Sequence, residues 1–330
     1  MFRIIMFITL FPLILLSAEY RLGEGLQIAD TPVYVGGYSS LNYTDELNGS
    51  RSLTFDDIAL MVYAQQGAWS FMGEAEMNDV YYNQFELNED TNSSFEVHAE
   101  RIYVRYEPSD TWRSTLGKFN SPIGFWNLMP INVLRSTTSS PLITEQVFPR
   151  FTTGASIDLT LQEKHRLTLL LQATPDLDTL FHDNRAYNNF NIDQHFALGY
   201  REHFEQLTLR FNAGYFRERI DHTAWFYGYM ALKYNTPLWE VMGEAGYRKG
   251  ADSAQKVLGG YVQIMRTVFD KHQLIVRAEG ADDDTLNKND NLLLFGYTYR
   301  PLYPVALKSE FQWHPKNNET ELLLSVSVLF

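Results

Sequence analysis

The chain has 330 residues, no cysteine, 15% aromatic residues, and 40 Asp and Glu against 27 Lys and Arg. Without cysteine there is no disulfide framework and no thiolate metal site, and a net charge of −13 excludes the basic face that nucleic-acid binders present to phosphates. Beyond its first residues the chain has no apolar run near the ~20 residues of a helical membrane span, which excludes a polytopic helical membrane protein.

The first segment reads as a secretory signal. Arg3 is the only charge before Glu19, Ile4 to Leu16 is almost wholly apolar, and Leu16-Ser17-Ala18 offers small residues at a cleavage site. Residues 1–18 are therefore expected to be a signal peptide and 19–330 the exported protein. From Thr31 onward almost every segment alternates apolar and polar residues. Leu207, Leu209, Phe211, Ala213 and Tyr215 alternate with Thr208, Arg210, Asn212 and Gly214, and the final segment runs Leu322, Leu324, Val326, Val328, Phe330. A strand turns successive side chains to opposite faces, so each segment has one apolar face. Such segments lie near residues 33–43, 53–65, 67–79, 95–107, 111–119, 152–162, 165–174, 192–202, 206–216, 223–234, 238–248, 256–266, 272–281, 291–300, 304–314 and 320–330.

The connections differ in length. Short ones fall at Gln65-Gln66, at Pro108 to Thr111 and at similar points to Pro301 to Tyr303; longer ones include 80–94, 120–151, 175–191 and 282–290. No proline falls within a predicted strand, as expected of a residue that cannot donate to a ladder. Tyr106, Trp112, Tyr200, Phe204, Tyr234, Trp239 and Tyr299 stand at short-turn ends, and Tyr215, Trp225, Tyr247 and Trp313 near the loop ends. Two aromatic rings, short turns at one end and longer loops at the other define an all-β fold: a transmembrane antiparallel β-barrel of about 16 strands in the bacterial outer membrane, with short periplasmic turns.

Two stretches carry a resemblance. Gly117-Lys118-Phe119-Asn120-Ser121-Pro122-Ile123-Gly124 and Phe148-Pro149-Arg150-Phe151-Thr152-Thr153-Gly154 resemble the central region of porin-like proteins related to the phosphate-selective porin family. The terminal strand ending in Phe330 resembles the segment that the barrel assembly machinery reads, which makes Phe330 the expected assembly signal. The resemblance implies a porin, with passive diffusion of small hydrophilic solutes or ions through a water-filled pore. A continuous basic ladder is not evident, so phosphate is not carried over. The alternatives are a plugged structural or surface-interaction barrel and, further off, an outer-membrane hydrolase. The loop pairs His182-Asp183 and Asp221-His222 and the run Asp282 to Asp284 are weak candidates for water activation or Ca²⁺, so no catalytic residue, metal or cofactor is expected. The expected partners are outer-membrane lipid, the assembly machinery and small solutes; a homotrimer is one assembly open to it.

Parity assigns the pore residues, because the apolar face must meet lipid. The basic ones are Arg101, Arg105, Arg113, Arg166, Arg201, Arg210, Lys233, Arg248, Arg277 and Lys308; the acidic ones are Asp57, Glu74, Glu76, Asp158, Asp193, Glu240, Glu244, Glu279 and Glu310. Ten against nine predicts little ion selectivity. The long connection after the fifth strand, the third external loop, is unusually apolar, with Trp126, Leu128, Met129, Ile131, Val133, Leu134, Leu142, Ile143 and Phe148. A loop of this kind needs a seat, and the barrel interior is the nearest. Arg135, Glu145 and Arg150 are then the candidates for charge at the narrowest point.

Overall fold

The computed structural model describes residues 20–330 apart from 48, 79, 86–95 and 181–187. The expected signal peptide and the pair His182-Asp183 lie outside the described residues. The chain forms a closed barrel of sixteen long antiparallel strands. They are β1 Val33–Glu46, β2 Arg51–Gln66, β3 Trp69–Asn78, β4 Glu96–Ser109, β5 Trp112–Asn120, β6 Phe151–Leu161, β7 His165–Gln172 and β8 Ile192–Phe204. The second half comprises β9 Leu207–Glu218, β10 Ala224–Asn235, β11 Trp239–Gly250, β12 Lys256–Val268, β13 His272–Asp283, β14 Lys288–Leu302, β15 Val305–His314 and β16 Glu319–Leu329. Each pairs with the next, and β16 closes the barrel on β1 with Leu324 opposite Tyr43 and Val326 opposite Leu41. Closure gives each of the sixteen strands a neighbour on both sides. At the seam the Gly37 and Phe330 backbones exchange two 2.7 Å hydrogen bonds.

On β7, β9, β15 and β16 the expected face assignment holds. Leu167, Leu169, Leu171, Phe211, Phe311, Leu324 and Val326 are exposed on the outer wall, where lipid takes the place of water. A charge at the middle of that wall costs about 2–4 kcal/mol. Phe211→Arg is therefore expected to lower barrel stability by that amount in a urea titration in lipid, while Phe211→Leu changes it little; equal effects would contradict the assignment.

Three sequence expectations are corrected. Pro108 and Pro301 do lie within strands, but each sits at a register shift, between Tyr106 and Ser109 and between Tyr299 and Leu302. A bulge removes the need for a ladder donor, which is where a strand tolerates proline. Residues 282–290 are not a long loop. β13 and β14 extend to Asp283 and Lys288, and Asp283 Oδ1 accepts from the amides of Thr285 (2.8 Å) and Leu286 (3.1 Å), closing a tight turn. Trp225 does not join the outer aromatic ring. It is 3% exposed and faces inward, donating to Glu218 at 2.7 Å, while Phe226 beside it takes the outer face.

Candidate functional site

The third external loop, residues 121–150, connects β5 to β6 and folds into the barrel. Its base is closed where the two motif stretches meet: the Ser121 amide donates to Arg150 O (2.8 Å), and Asn127 Nδ2 reaches Ser121 O (2.8 Å) and Arg150 O (3.0 Å). The glycines of the first motif have physical reasons. Gly117 adopts φ +129° and Gly124 φ +66°, conformations that L side chains rarely adopt. A Cβ at Gly124 would stand 2.5 Å from Glu244 Oε2, so the loop passes directly over the wall.

Inside the barrel the loop builds a core. Phe148 meets Tyr229 edge-on at 4.9 Å, and Ile123, Trp126, Ile143, Val147 and Phe148 are almost wholly buried. The guanidinium groups of Arg135 and Arg277 each lie 5.6 Å from the ring of Trp126. The receiving wall is the arc from β10 through β16, whose inner face carries Tyr227, Tyr229 and Ala231.

Charged wall residues fasten the loop by its backbone. Glu244 accepts from the amides of Phe125 (2.7 Å) and Trp126 (2.9 Å) and from the Tyr229 hydroxyl (2.6 Å). Glu279 accepts from the Leu142 amide (2.7 Å), and Glu310 from Thr138 N and Ser139 Oγ. Arg277 donates to Thr137 Oγ1 and Ser139 O, both at 3.0 Å; Arg300 donates to Val133 O and Arg135 O; Lys308 donates to Asn132 O and Oδ1. Parity put Glu244, Arg277, Glu279, Lys308 and Glu310 on the inner face, and they are there. Each is nonetheless buried beneath the loop. Lys233 and Glu240 also point inward and pair with each other at 2.7 Å.

The three loop candidates gather around one small recess with Trp126 and Asn127. Arg135 curls back to donate to Met129 O (2.6 Å) and Pro130 O (2.7 Å), while Arg150 faces Glu145 at 3.8 Å.

The arc from β4 through β9 is left open. There the wall and the loop enclose a cavity of about 290 Å³ lined by Arg101, Arg105, Arg113, Arg166, Arg201 and Arg210, with Asp158 as its carboxylate. Arg101 pairs with Glu74, and Arg113 pairs with Glu107 and approaches Asp158 at 4.0 Å. Among the described residues no carboxylate comes within 4.0 Å of Arg105, Arg166, Arg201 or Arg210. Strand register sets the last three in line. Arg166 is opposite Arg201, and Arg201 is opposite Arg210. Like charges directly across a ladder destabilise a sheet, so the row is a cost to the wall. Arg210 lies 4.8 Å above the ring of Phe125, which ties one end of the row to the loop.

The sequence reading missed His98 and Glu100. Strict alternation through Arg101 turns both outward, yet both are buried inside. A register shift opposite Glu74 and Ala75 is the reason, since it gives Glu100 and Arg101 the same face. Lys118 Nζ accommodates the irregular backbone by donating to Ala99 O (2.7 Å).

The fold is thus that of a porin: a sixteen-stranded barrel narrowed by an infolded third loop. No family model matches the chain, and no curated protein matches it in sequence. Among solved structures it is similar to OmpF of Salmonella typhi in complex with daunomycin, at 9% identity and TM-score 0.63, covering 95% of this chain and 100% of that one. It is similar to the anion-selective porin from Comamonas acidovorans, at 9% identity and TM-score 0.62, covering 91% and 100%. A trimer form of OmpT, an outer membrane protein of Vibrio cholerae, matches at 8% identity and TM-score 0.60, covering 90% and 99%. At these identities the likeness is one of fold.

Proposed function

We propose that the chain is a bacterial outer-membrane porin that passes small hydrophilic solutes and prefers anions. The observation that carries this reading is the arginine row. The wall has near-equal numbers of inward acids and bases, but they are unevenly placed: the loop covers Glu244, Glu279 and Glu310 together with Arg277 and Lys308. Of the six guanidinium groups lining the open cavity, Arg101 and Arg113 are paired with carboxylates, which leaves Arg105, Arg166, Arg201 and Arg210 against Asp158. Lumen charge tunes ion selectivity, and this uneven distribution replaces the near-neutral expectation drawn from counting alone. The fold shared with an anion-selective porin supports the same reading.

The test is the reversal potential of the purified protein in a planar bilayer across a KCl gradient. A potential of the sign set by chloride permeation is expected. A potential set by potassium would overturn the anion preference, and the absence of any channel from a folded barrel would favour the plugged structural barrel. Within the same proposal Arg135, Glu145 and Arg150 stand at the constriction, Phe330 is the assembly signal, and a homotrimer is the assembly, as the trimer form of OmpT illustrates.

A further inference from the structure

A second cluster of ionisable groups lies on the inner face of β3 and β4, beside the arginine wall, and neither loop anchoring nor anion passage uses it. Glu76 is opposite His98 in the ladder, and the bulge brings Glu100 onto the same face. All three are buried, and one ligand atom from each lies within 4.8 Å of the others. His98 Nε2 is 3.2 Å from Glu100 Oε2.

We propose that Glu76, His98 and Glu100 bind a divalent cation of the Zn²⁺ type. The donor set is one imidazole nitrogen and two carboxylates, a combination that suits borderline metals such as Zn²⁺ rather than the all-oxygen cages of Ca²⁺ or Mg²⁺. The local charge points the same way. Arg101 answers Glu74, and Lys118 answers Asp178. Among the described residues neither Glu76 nor Glu100 has a Lys or Arg nitrogen within 4.0 Å, and Asp57, held by Ser40 Oγ at 2.9 Å, adds to the negative field.

A second observation is the Tyr38 hydroxyl, which stands 2.7 Å from Glu74 Oε1 and 2.6 Å from Glu76 Oε2. One hydroxyl has one proton to donate. Arg101 already serves Glu74, whereas among the described residues Glu76 accepts only from this shared hydroxyl, and His98 and Glu100 supply the remaining ligands for an ion there. Bound there, the cation straps β3 to β4 across the bulge, where the ladder itself is interrupted.

The test uses the folded barrel in detergent and zinc chloride in an isothermal titration. One ion per chain is expected, with the thermal midpoint rising as zinc increases, since a ligand bound only by the folded state stabilises it. Glu76→Gln combined with Glu100→Gln should weaken binding at least about tenfold, the lower end of what disturbing a metal's surroundings costs. Asp282→Asn combined with Asp284→Asn, at the exposed β13–β14 turn, should leave binding unchanged. A cobalt-loaded sample should show visible absorption bands that His98→Gln alters, and this readout stands even if the double variant folds poorly. No heat and no thermal shift in the wild type would overturn the site. Binding that survives the β3–β4 variants and falls in the loop variant would place the ion at the surface and overturn it equally.

Discussion

Replacing Arg166, Arg201 and Arg210 together by Glu is expected to invert the ion selectivity of the channel, from anion-preferring to cation-preferring. The three side chains occupy one row across β7, β8 and β9, so the substitution changes the same cross-section of the pore by two units at each position. A unit charge at 4 Å contributes about 1 kcal/mol in a water-like medium and about 4 kcal/mol near a protein surface. The lower figure already favours an anion roughly fivefold at a single guanidinium, since about 1.4 kcal/mol is tenfold. Neighbours in the row reinforce it. Screening supplies the control, because the Debye length falls from about 10 Å at 0.1 M salt to about 3 Å at 1 M. The reversal potential should therefore shift strongly in the triple variant at low salt and less at high salt. The single variant Arg201→Glu should fall between. The same triple change at Lys233, Arg248 and Arg277, which are paired or covered, is not expected to invert the sign. A wild-type reversal potential in the triple variant, with the barrel folded, would remove the row from the conduction path.

Much of this architecture is legible in the alternation, for a physical reason. Lipid demands an apolar outer face on every strand, so the period of two is enforced sixteen times, and the strands fall close to the predicted segments. The alternation fails where something else enforces apolarity. Along β10 the residues Trp225, Phe226, Tyr227, Tyr229 and Met230 leave no polar face, because the loop core presses on the inside while lipid presses on the outside. It also fails at the β4 bulge, where one extra residue turns His98 and Glu100 inward and no local pattern announces it. The loop's seat is legible from its apolar residues. Its anchors are not, because Glu244, Glu279 and Glu310 hold backbone amides rather than complementary side chains. Parity placed Arg166, Arg201 and Arg210 on the inner face correctly. Their alignment depends on the register of three strands, which composition does not reveal.

Deleting Leu128 to Pro141 is expected to raise single-channel conductance severalfold. The segment contains the 3₁₀ turn Asn132–Leu134 and packs Ile131 and Val133 against Tyr38, Ala59 and Ala306 of the wall, and a sixteen-stranded barrel without an infolded loop encloses an aqueous channel. The barrel should survive the deletion. The sixteen ladders do not include the loop, and the wall groups it leaves behind, Arg277, Arg300, Lys308 and Glu310, would then face water rather than a sealed interior. Breaking a single anchor should do less. Glu310→Gln weakens a charge-assisted contact, the class worth about 1.5–3 kcal/mol, yet Lys308, Arg277 and Arg300 still hold the adjacent backbone. Its conductance should stay near that of the wild type, with more current noise as the loop loosens around Ser139. Glu244→Gln acts at the other end, at Phe125 and Trp126, next to the ring that carries Arg210, so it should disturb selectivity as well as noise. The deletion and the two point variants together separate the possible seats of the loop. A large rise from the deletion, with small changes from either anchor, is the pattern of a loop that crosses the pore and is fastened at several independent points. Unchanged conductance in a folded deletion variant would mean that the ions pass elsewhere and that the loop only lines the wall.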